Sequence, residues 1–287
     1  MIKVRCINTQ EDVIVKAGST LLEIYNGMNW KLAYNPLCAT INNKSKRLNT
    51  KLYDNVDVEY FDITSATGKK TYLLGLFFIL SKAVEELFPG GKVEMANSIS
   101  KGTYCPVHIG RPLTETDVEA IRNRIKFLIE SSIPFTRHRE HTDYVIELME
   151  QKGRKDLVRL LKTTGKIYTT YYTLDETADF FFGTLPPDTG YIHLFGVELF
   201  GKGVLLRIPD SKNPEMLRDM PKQDKMFRIF DEFHSWQKIL GISTLGDLNT
   251  ATLTGHSNTI INIAEALQSN KIVHIADSIV ERHKQNS

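Results

Sequence analysis

Two short motifs place nitrogen and sulfur donors at the spacing of metal ligands. Cys105-Pro-Val-His108 and His138-Arg-Glu-His141 each hold one pair of such donors. A zinc site uses four protein ligands, or three together with a water molecule. One pair is therefore too few, and a site would require the fold to bring both pairs together. We predict no metal site, and interpret these residues as a buried thiol and surface histidines.

A third motif has the spacing of a phosphate-binding loop. Gly196-Val-Glu-Leu-Phe-Gly201-Lys202 matches GxxxxGK, but Gly203 follows where a serine or threonine should bind magnesium. The motif should also lie between a strand and a helix, whereas residues 204–208 are typical of another strand. We interpret 201–203 as a hairpin turn and predict neither catalytic nor cofactor-binding residues in this chain.

A modest basic stripe precedes several tyrosines. It consists of Lys152, Arg154, Lys155, Arg159 and Lys162, and Tyr168, Tyr171 and Tyr172 follow it. Basic side chains beside aromatic rings can contact RNA. An amphipathic helix that leads into a strand explains the same pattern, so both interpretations stay open.

Composition narrows the class of protein. The chain has 287 residues, 41% hydrophobic and 24% charged, which suits two domains and a tail. A net charge of +2 lacks the basic excess of a strong nucleic-acid binder, and three irregularly spaced cysteines indicate a reducing compartment. The longest apolar run, 72–80, is shorter than the roughly 20 residues of a membrane span. We expect a soluble, cytoplasmic protein with no membrane partner.

Residues 1–62 combine strand and helix patterns. Ile2, Val4 and Cys6 alternate with charged residues as in a half-buried strand, and Ser19-Thr20 is a natural N-cap for the helical spacing that follows. With the later strands, this order is typical of a β-grasp fold. Three stretches resemble a TGS domain, the ubiquitin-like module of threonyl-tRNA synthetases, some GTPases and stringent-response enzymes: 16–24, 39–43 and 48–59.

The following region combines helices and strands. Residues 64–70 are typical of a linker, an apolar helix is predicted over 73–88, a second helix begins after Thr114, and strands are predicted at 190–195 and 203–209. The region resembles the N-terminal editing (second additional) domain of threonyl- and alanyl-type synthetases. The matching stretches are 83–89, 110–117, 189–192 and 210–217.

The resemblance implies an HxxxH pair and a CxxxH pair, which would hold and hydrolyse a mischarged ester. By ungapped spacing these four positions are Leu74, Phe78, Phe181 and Leu185, all hydrocarbon. Because His108 is the first histidine and Cys105 the last cysteine, no HxxxH motif can begin before residue 108 and no CxxxH motif can begin after residue 105. We predict a cleft refilled as hydrophobic core; an apolar ligand pocket is the alternative.

The tail, 226–287, has helical apolar stripes. Residues 245–249, 262–267 and 271–277 resemble a bacterial uridine/nucleoside kinase-like family, in which TGS and editing-like domains precede a kinase domain. The resemblance implies that the chain stops before the kinase P-loop. The parent would transfer phosphate from ATP to a nucleoside, and ATP and Mg would be needed only by the absent kinase domain.

The predicted fold class is α+β. A ubiquitin-like β-grasp TGS domain (1–62) precedes an α/β two-layer editing-like domain (63–225) and a helical tail (226–287). We expect a non-catalytic regulatory region of a nucleoside kinase, whose partner is the kinase domain of the same polypeptide, with a regulatory ligand or RNA as further partners. The alternative is a tRNA-binding module without editing activity. A free-standing deacylase is disfavoured by the missing histidines and cysteine.

Overall fold

A computed structural model describes residues 1–217, 221 and 223–285. The chain divides into two compact units. Unit 1 comprises Met1–His138 and Tyr171–Lys222, and unit 2 comprises Arg139–Thr170 and Gln223–Ser287. The architecture is mixed α+β, as predicted. Among the described residues no helix is both long enough and apolar enough to cross a bilayer.

Unit 1 begins with a five-stranded sheet and one helix. The elements are β1 (Ile2–Cys6), β2 (Glu11–Val15), α1 (Leu21–Gly27), β3 (Cys38–Ile41), β4 (Lys44–Lys46) and β5 (Val56–Phe61). The strand order is β2-β1-β5-β3-β4, with β1 and β5 parallel and the other neighbours antiparallel. Ile2, Val4 and Cys6 are buried as their alternation predicts, and Thr20 caps α1 through a capping box with Glu23.

The remaining elements follow in chain order. They are α2 (Ala66–Leu87), β6 (Lys92–Val93), β7 (Ser98–Ile99), β8 (Gly102–His108), α3 (Glu115–Glu130), β9 (Thr136–His141), α4 (Thr142–Gln151), α5 (Lys155–Lys162), β10 (Tyr168–Leu174), β11 (Thr177–Asp179), β12 (Gly196–Phe200), β13 (Gly203–Arg207), α6 (Asp224–Ile239), α7 (Leu245–Leu253) and α8 (Ser257–Gln285). In unit 1, α2 and α3 pack together, and their buried side chains share one core with β8, β12 and β13.

Helix α2 begins earlier than predicted, so the assignment of 64–70 to a linker is wrong. Ser65 is the N-cap: its hydroxyl oxygen accepts a hydrogen bond from the Gly68 amide and donates to the Asp62 carbonyl, each at 2.9 Å. Small polar residues are typical of linkers and of helix N-termini alike. Here the close fit of Gly68 against Asp62 selects the helix. The helix predicted after Thr114 is confirmed, with Thr114 and Asp117 forming its capping box.

The strand predicted over 190–195 is also wrong. Thr189–Tyr191 form a 3-10 turn, and β12 starts only at Gly196. The buried Tyr72 hydroxyl accepts hydrogen bonds from the amides of His193 and Leu194, both at 3.0 Å, and donates to the Leu194 carbonyl. These bonds satisfy backbone groups that a neighbouring strand would otherwise pair. The hairpin turn predicted at 201–203 is confirmed, because β12 and β13 pair antiparallel across Gly201 and Lys202.

Unit 2 is mainly helical, and the prediction that the tail forms helices is confirmed for its described part by α6, α7 and α8. Helix α5 packs against α4 and α7. Gly246 of α7 allows that close approach, since a Cβ atom there would lie 2.7 Å from the Leu160 amide nitrogen. Lys271 of α8 forms an ion pair with Glu232 of α6 at 2.7 Å.

Candidate functional site

The four positions assigned to the lost editing residues lie close together in unit 1. Leu74 and Phe78 are one turn apart on α2, and Phe181 and Leu185 lie in the segment after β11. Phe78 and Leu185 are fully buried, whereas Leu74 and Phe181 are partly buried. The ring centroids of Phe78 and Phe181 are 5.0 Å apart. A long-range contact therefore joins the two halves of the candidate site.

Further aromatic rings complete the packing. We call Phe77, Phe78, Phe135, Tyr172 and Phe181 the aromatic cluster. Phe135 stacks on Phe78 at 5.8 Å, and Phe77 and Tyr172 meet Phe181 edge-on at 6.3 and 6.2 Å. Such aromatic pairs contribute to stability in addition to the hydrophobic gain from the surface area that they bury.

Leu74 covers the remaining side of the site. A Cβ atom on Gly183 would lie 2.5 Å from the Leu74 Cδ1 atom, so the side chain rests directly on the glycine backbone. The hydrocarbon of Leu74 thus occupies the space above the 181–185 segment. The refilled cleft stays a prediction, with an apolar ligand pocket as its alternative.

Two arginines lie at the polar edge of the aromatic cluster. The Arg47 Nη1 atom donates a 3.0 Å hydrogen bond to the Phe135 carbonyl, and its Cζ atom lies 5.9 Å from the centre of the Tyr172 ring. The Arg137 side chain is hydrogen-bonded to the side chain of Tyr172. The Tyr172 hydroxyl also donates to the Gly183 carbonyl at 3.3 Å. Burial raises the pKa of Tyr172, so this hydroxyl is neutral near pH 7.

Neither arginine stands out in the sequence. Arg47 is one of several basic residues in a polar loop, and 88 residues separate it from Phe135. Arg137 lies in the polar strand β9 beside a histidine that carried the metal hypothesis. No local pattern signals their proximity to Tyr172, since only tertiary packing creates it.

The two histidine motifs lie in different surroundings. Cys105 is buried, while His108 is exposed and lies 3.5 Å from Glu94. In unit 1, His138 stacks on Tyr171 and its Nε2 atom lies 2.9 Å from the Thr173 hydroxyl. In unit 2, His141 lies 3.4 Å from Asp143. Within the described ranges, no three His, Cys, Asp or Glu side chains gather as metal ligands.

The basic stripe of unit 2 is largely paired with carboxylates. Arg154 contacts Asp156 at 3.2 Å, Lys162 contacts Glu150 at 3.0 Å, and Arg159 contacts Asp247 at 2.9 Å. Lys155 is exposed and forms no ion pair within the described part of this unit; Lys152 is half-buried. The opposite face of α5 is buried through Leu157, Val158, Leu160 and Leu161. Helix α5 is thus amphipathic. Of the three ion pairs, only Lys162–Glu150 is exposed at both partners, and such a pair contributes about 0–1 kcal/mol.

The cysteines are poorly suited to nucleophilic chemistry. Burial raises the pKa of Cys105 to about 12 and that of Cys38 to about 11, the latter despite a hydrogen bond from Thr71. Cys6 is buried as well. Since the thiolate is the reactive form, none of the three has an accessible nucleophile in the folded chain.

We expect Cys6, Cys38 and Cys105 to resist a disulfide-exchange reagent at pH 8 in the native protein. All three should react within minutes after denaturation in guanidinium. Counting released chromophore per chain with and without denaturant measures both states. Rapid labelling of one native thiol, located by mass spectrometry, would contradict the prediction.

We compared the chain with family models and with curated proteins. No family model matches the chain. Three relatives are threonine–tRNA ligases, from Carboxydothermus hydrogenoformans (26% identical over 177 residues, 61% of this chain and 28% of the ligase), Myxococcus xanthus (28% over 190 residues, 65% and 29%) and Chlorobaculum tepidum (29% over 180 residues, 61% and 27%).

The chain spans less than a third of the length of these curated relatives. The three matches nevertheless support the predicted resemblance to threonyl-tRNA synthetases. None of the three relatives is a kinase.

Proposed function

We propose that this chain is a threonyl-tRNA-synthetase-like module that binds tRNA without hydrolysing an aminoacyl ester. The similarity to threonine–tRNA ligases over about three fifths of the chain carries the proposal. In it, residues 1–62 form a TGS domain of β-grasp type, 63–225 the editing-like domain and 226–287 a helical tail. The strand order β2-β1-β5-β3-β4 around α1 supports the first of these assignments.

The absence of editing chemistry rests on the side chains at the candidate site. Ester hydrolysis near neutral pH needs a group that takes up or releases a proton beside the ester. Leu74, Phe78, Phe181 and Leu185 have none, and the Tyr172 hydroxyl beside them is neutral. A scaffold of this kind keeps a shape that tRNA recognises while the reaction is lost.

Unit 2 offers one RNA-binding surface. The Arg139 guanidinium lies 5.1 Å from the centre of the exposed Tyr168 ring, an arrangement on which bases can stack. The stripe of Lys152, Arg154, Lys155, Arg159 and Lys162 belongs to the same unit. Lys155 is exposed and Lys162 is in an exposed, weak ion pair with Glu150, so RNA phosphates can contact these two cations at low cost.

Binding of purified tRNA to the whole chain tests the proposal. We expect an affinity that falls with salt by several units of log K per unit of log salt. Replacing all five stripe cations by glutamine should weaken binding at least tenfold. Lys155→Gln alone should lower the salt slope by about one unit, whereas Lys271→Gln, on α8 and outside the stripe, should change it little.

Two outcomes would sink the proposal. The first is no tRNA binding at low salt. The second is turnover of a mischarged threonine-specific tRNA above the buffer rate, in a preparation that keeps this activity through dilution and chelation controls.

The nucleoside-kinase parent, with its ATP and Mg, stays a separate prediction. It rests on the resemblance of 245–249, 262–267 and 271–277, and the ligase relatives favour the tRNA hypothesis over it. The reading frame after Ser287 decides: a GxxxxGK[ST] within about 15 residues would support the kinase parent. The kinase domain as a partner and a cytoplasmic location are predictions of the same kind.

A further inference from the structure

Arg47 is a half-buried cation with few partners. It follows β4 directly, and its hydrogen bond to the Phe135 carbonyl holds one edge of the guanidinium against the aromatic cluster. Within the described part of unit 1, no carboxylate forms an ion pair with it. A guanidinium has five N–H donors, so most of the donors of Arg47 are available to a ligand.

The surroundings of Arg47 are unfavourable for a lone cation. Burial lowers its pKa, and the neighbouring charge of Arg137 lowers it further. The attraction of the Tyr172 ring offsets only part of this, because a cation–π contact contributes about 0.5–2 kcal/mol. A buried charge without a counter-ion is costly, and here two like charges meet at the same tyrosine.

The geometry points to a phosphate group as a counter-ion for Arg47: we propose that Arg47 and Arg137, which both contact the side chain of Tyr172, bind one phosphate. Guanidinium groups offer the paired donors that phosphate oxygens accept. Two cations match a phosphate better than a carboxylate, which a single arginine already neutralises. Arg47 is half-buried against the aromatic cluster, so its attraction to a phosphate is screened less than that of a fully exposed arginine.

The source of the phosphate is either an RNA phosphodiester or a free phosphate compound. Only the link to RNA rests on the proposed function; the phosphate site itself does not. If RNA is the source, the lost editing site has become a place where the strand is held by its backbone.

Titration of the whole chain with inorganic phosphate tests the site. We expect phosphate to raise the midpoint of thermal unfolding above that seen with chloride at equal ionic strength. Arg47→Gln and Arg137→Gln should each weaken the affinity at least tenfold. Arg5→Gln is the matched control, because this exposed arginine already contacts Gln10 and Asp12 and should leave the response unchanged.

Folding of the variants is checked separately. Arg137 is exposed on β9, so its replacement is expected to leave the fold intact even if that of Arg47 does not. Arg47→Lys keeps the charge and should retain part of the response. Equal phosphate affinity in Arg137→Gln and wild type, or no response of the wild type beyond chloride, would overturn the proposal.

The same variants in the tRNA assay identify the source. A tenfold loss of tRNA affinity in Arg47→Gln and Arg137→Gln assigns the site to an RNA phosphodiester. Unchanged tRNA affinity together with a lost phosphate response assigns it to a small phosphate compound, and either result keeps the site. Failure of the wild type to bind any tRNA would remove the proposed function, while the phosphate titration would still stand on its own.

Discussion

Phe78→Ala is expected to lower the free energy of unfolding by about 3–5 kcal/mol, the usual cost of deleting a buried phenylalanine. Phe78 is fully buried, and its ring contacts Phe135 and Phe181. Removal leaves a cavity beneath both rings, which α2 cannot close by moving because Leu76 and Ile79 on the same helix are also buried. Chemical denaturation followed by circular dichroism measures the change.

The control is Phe182→Ala. Phe182 is 60% exposed and contacts only Phe180 among the rings described for its surroundings, so its replacement should cost less than about 1 kcal/mol. The comparison also separates the two interpretations of the refilled cleft. If Phe78 lined an open ligand pocket, both variants would cost similar small amounts, and the core interpretation would be wrong.

Gly68→Ala is expected to cost about 1.5–5 kcal/mol, although alanine is the better helix former. A Cβ atom at this position would lie 1.7 Å from the Asp62 carbonyl oxygen and 3.0 Å from the Ser65 hydroxyl. The first turn of α2 must then move away from the end of β5. Overpacking costs about 1–3 kcal/mol, and loss of the Ser65 cap adds about 0.5–2 kcal/mol.

Gly27→Ala serves as the matched control, because Gly27 ends α1 and has no atom within 4 Å of a new Cβ. It should be neutral or stabilise by about 0.4–1 kcal/mol. Equilibrium unfolding of both variants measures the difference. Equal stabilities would show that the N-terminus of α2 is not anchored at Asp62.

The candidate site joins two kinds of surface. Its centre is hydrocarbon, with Phe78 and Phe181 in contact where the resemblance implies reactive groups. Its edge keeps Arg47 and Arg137 beside the neutral hydroxyl of Tyr172. The hydrocarbon centre offers no group to transfer a proton, and the two arginines supply the positive charge on which the proposed phosphate site depends. Both the proposed tRNA binding and the proposed phosphate site depend on this separation of binding from chemistry.

Local features could be predicted well from the sequence. The caps at Thr20 and Thr114, the alternation of Ile2, Val4 and Cys6 and the turn at Gly201 all depend on residues within a few positions of each other. The two errors have different causes. The start of α2 depends on the local fit of Gly68 against Asp62, six positions earlier. The irregular segment after Thr189 depends on hydrogen bonds that the amides of His193 and Leu194 donate to the Tyr72 hydroxyl, more than 100 residues away.

The sequence by itself determines that no histidine precedes His108 and no cysteine follows Cys105, since the order of residues does not depend on folding. The sequence thereby determines which reactive groups of the editing domain that it resembles are missing from this chain. Only the tertiary structure decides what occupies their place. Arg47, Arg137 and Tyr172 lie far apart in the chain. The two positive charges of the arginines meet at the neutral tyrosine only because packing of the buried aromatic rings stabilises the fold enough to hold them together.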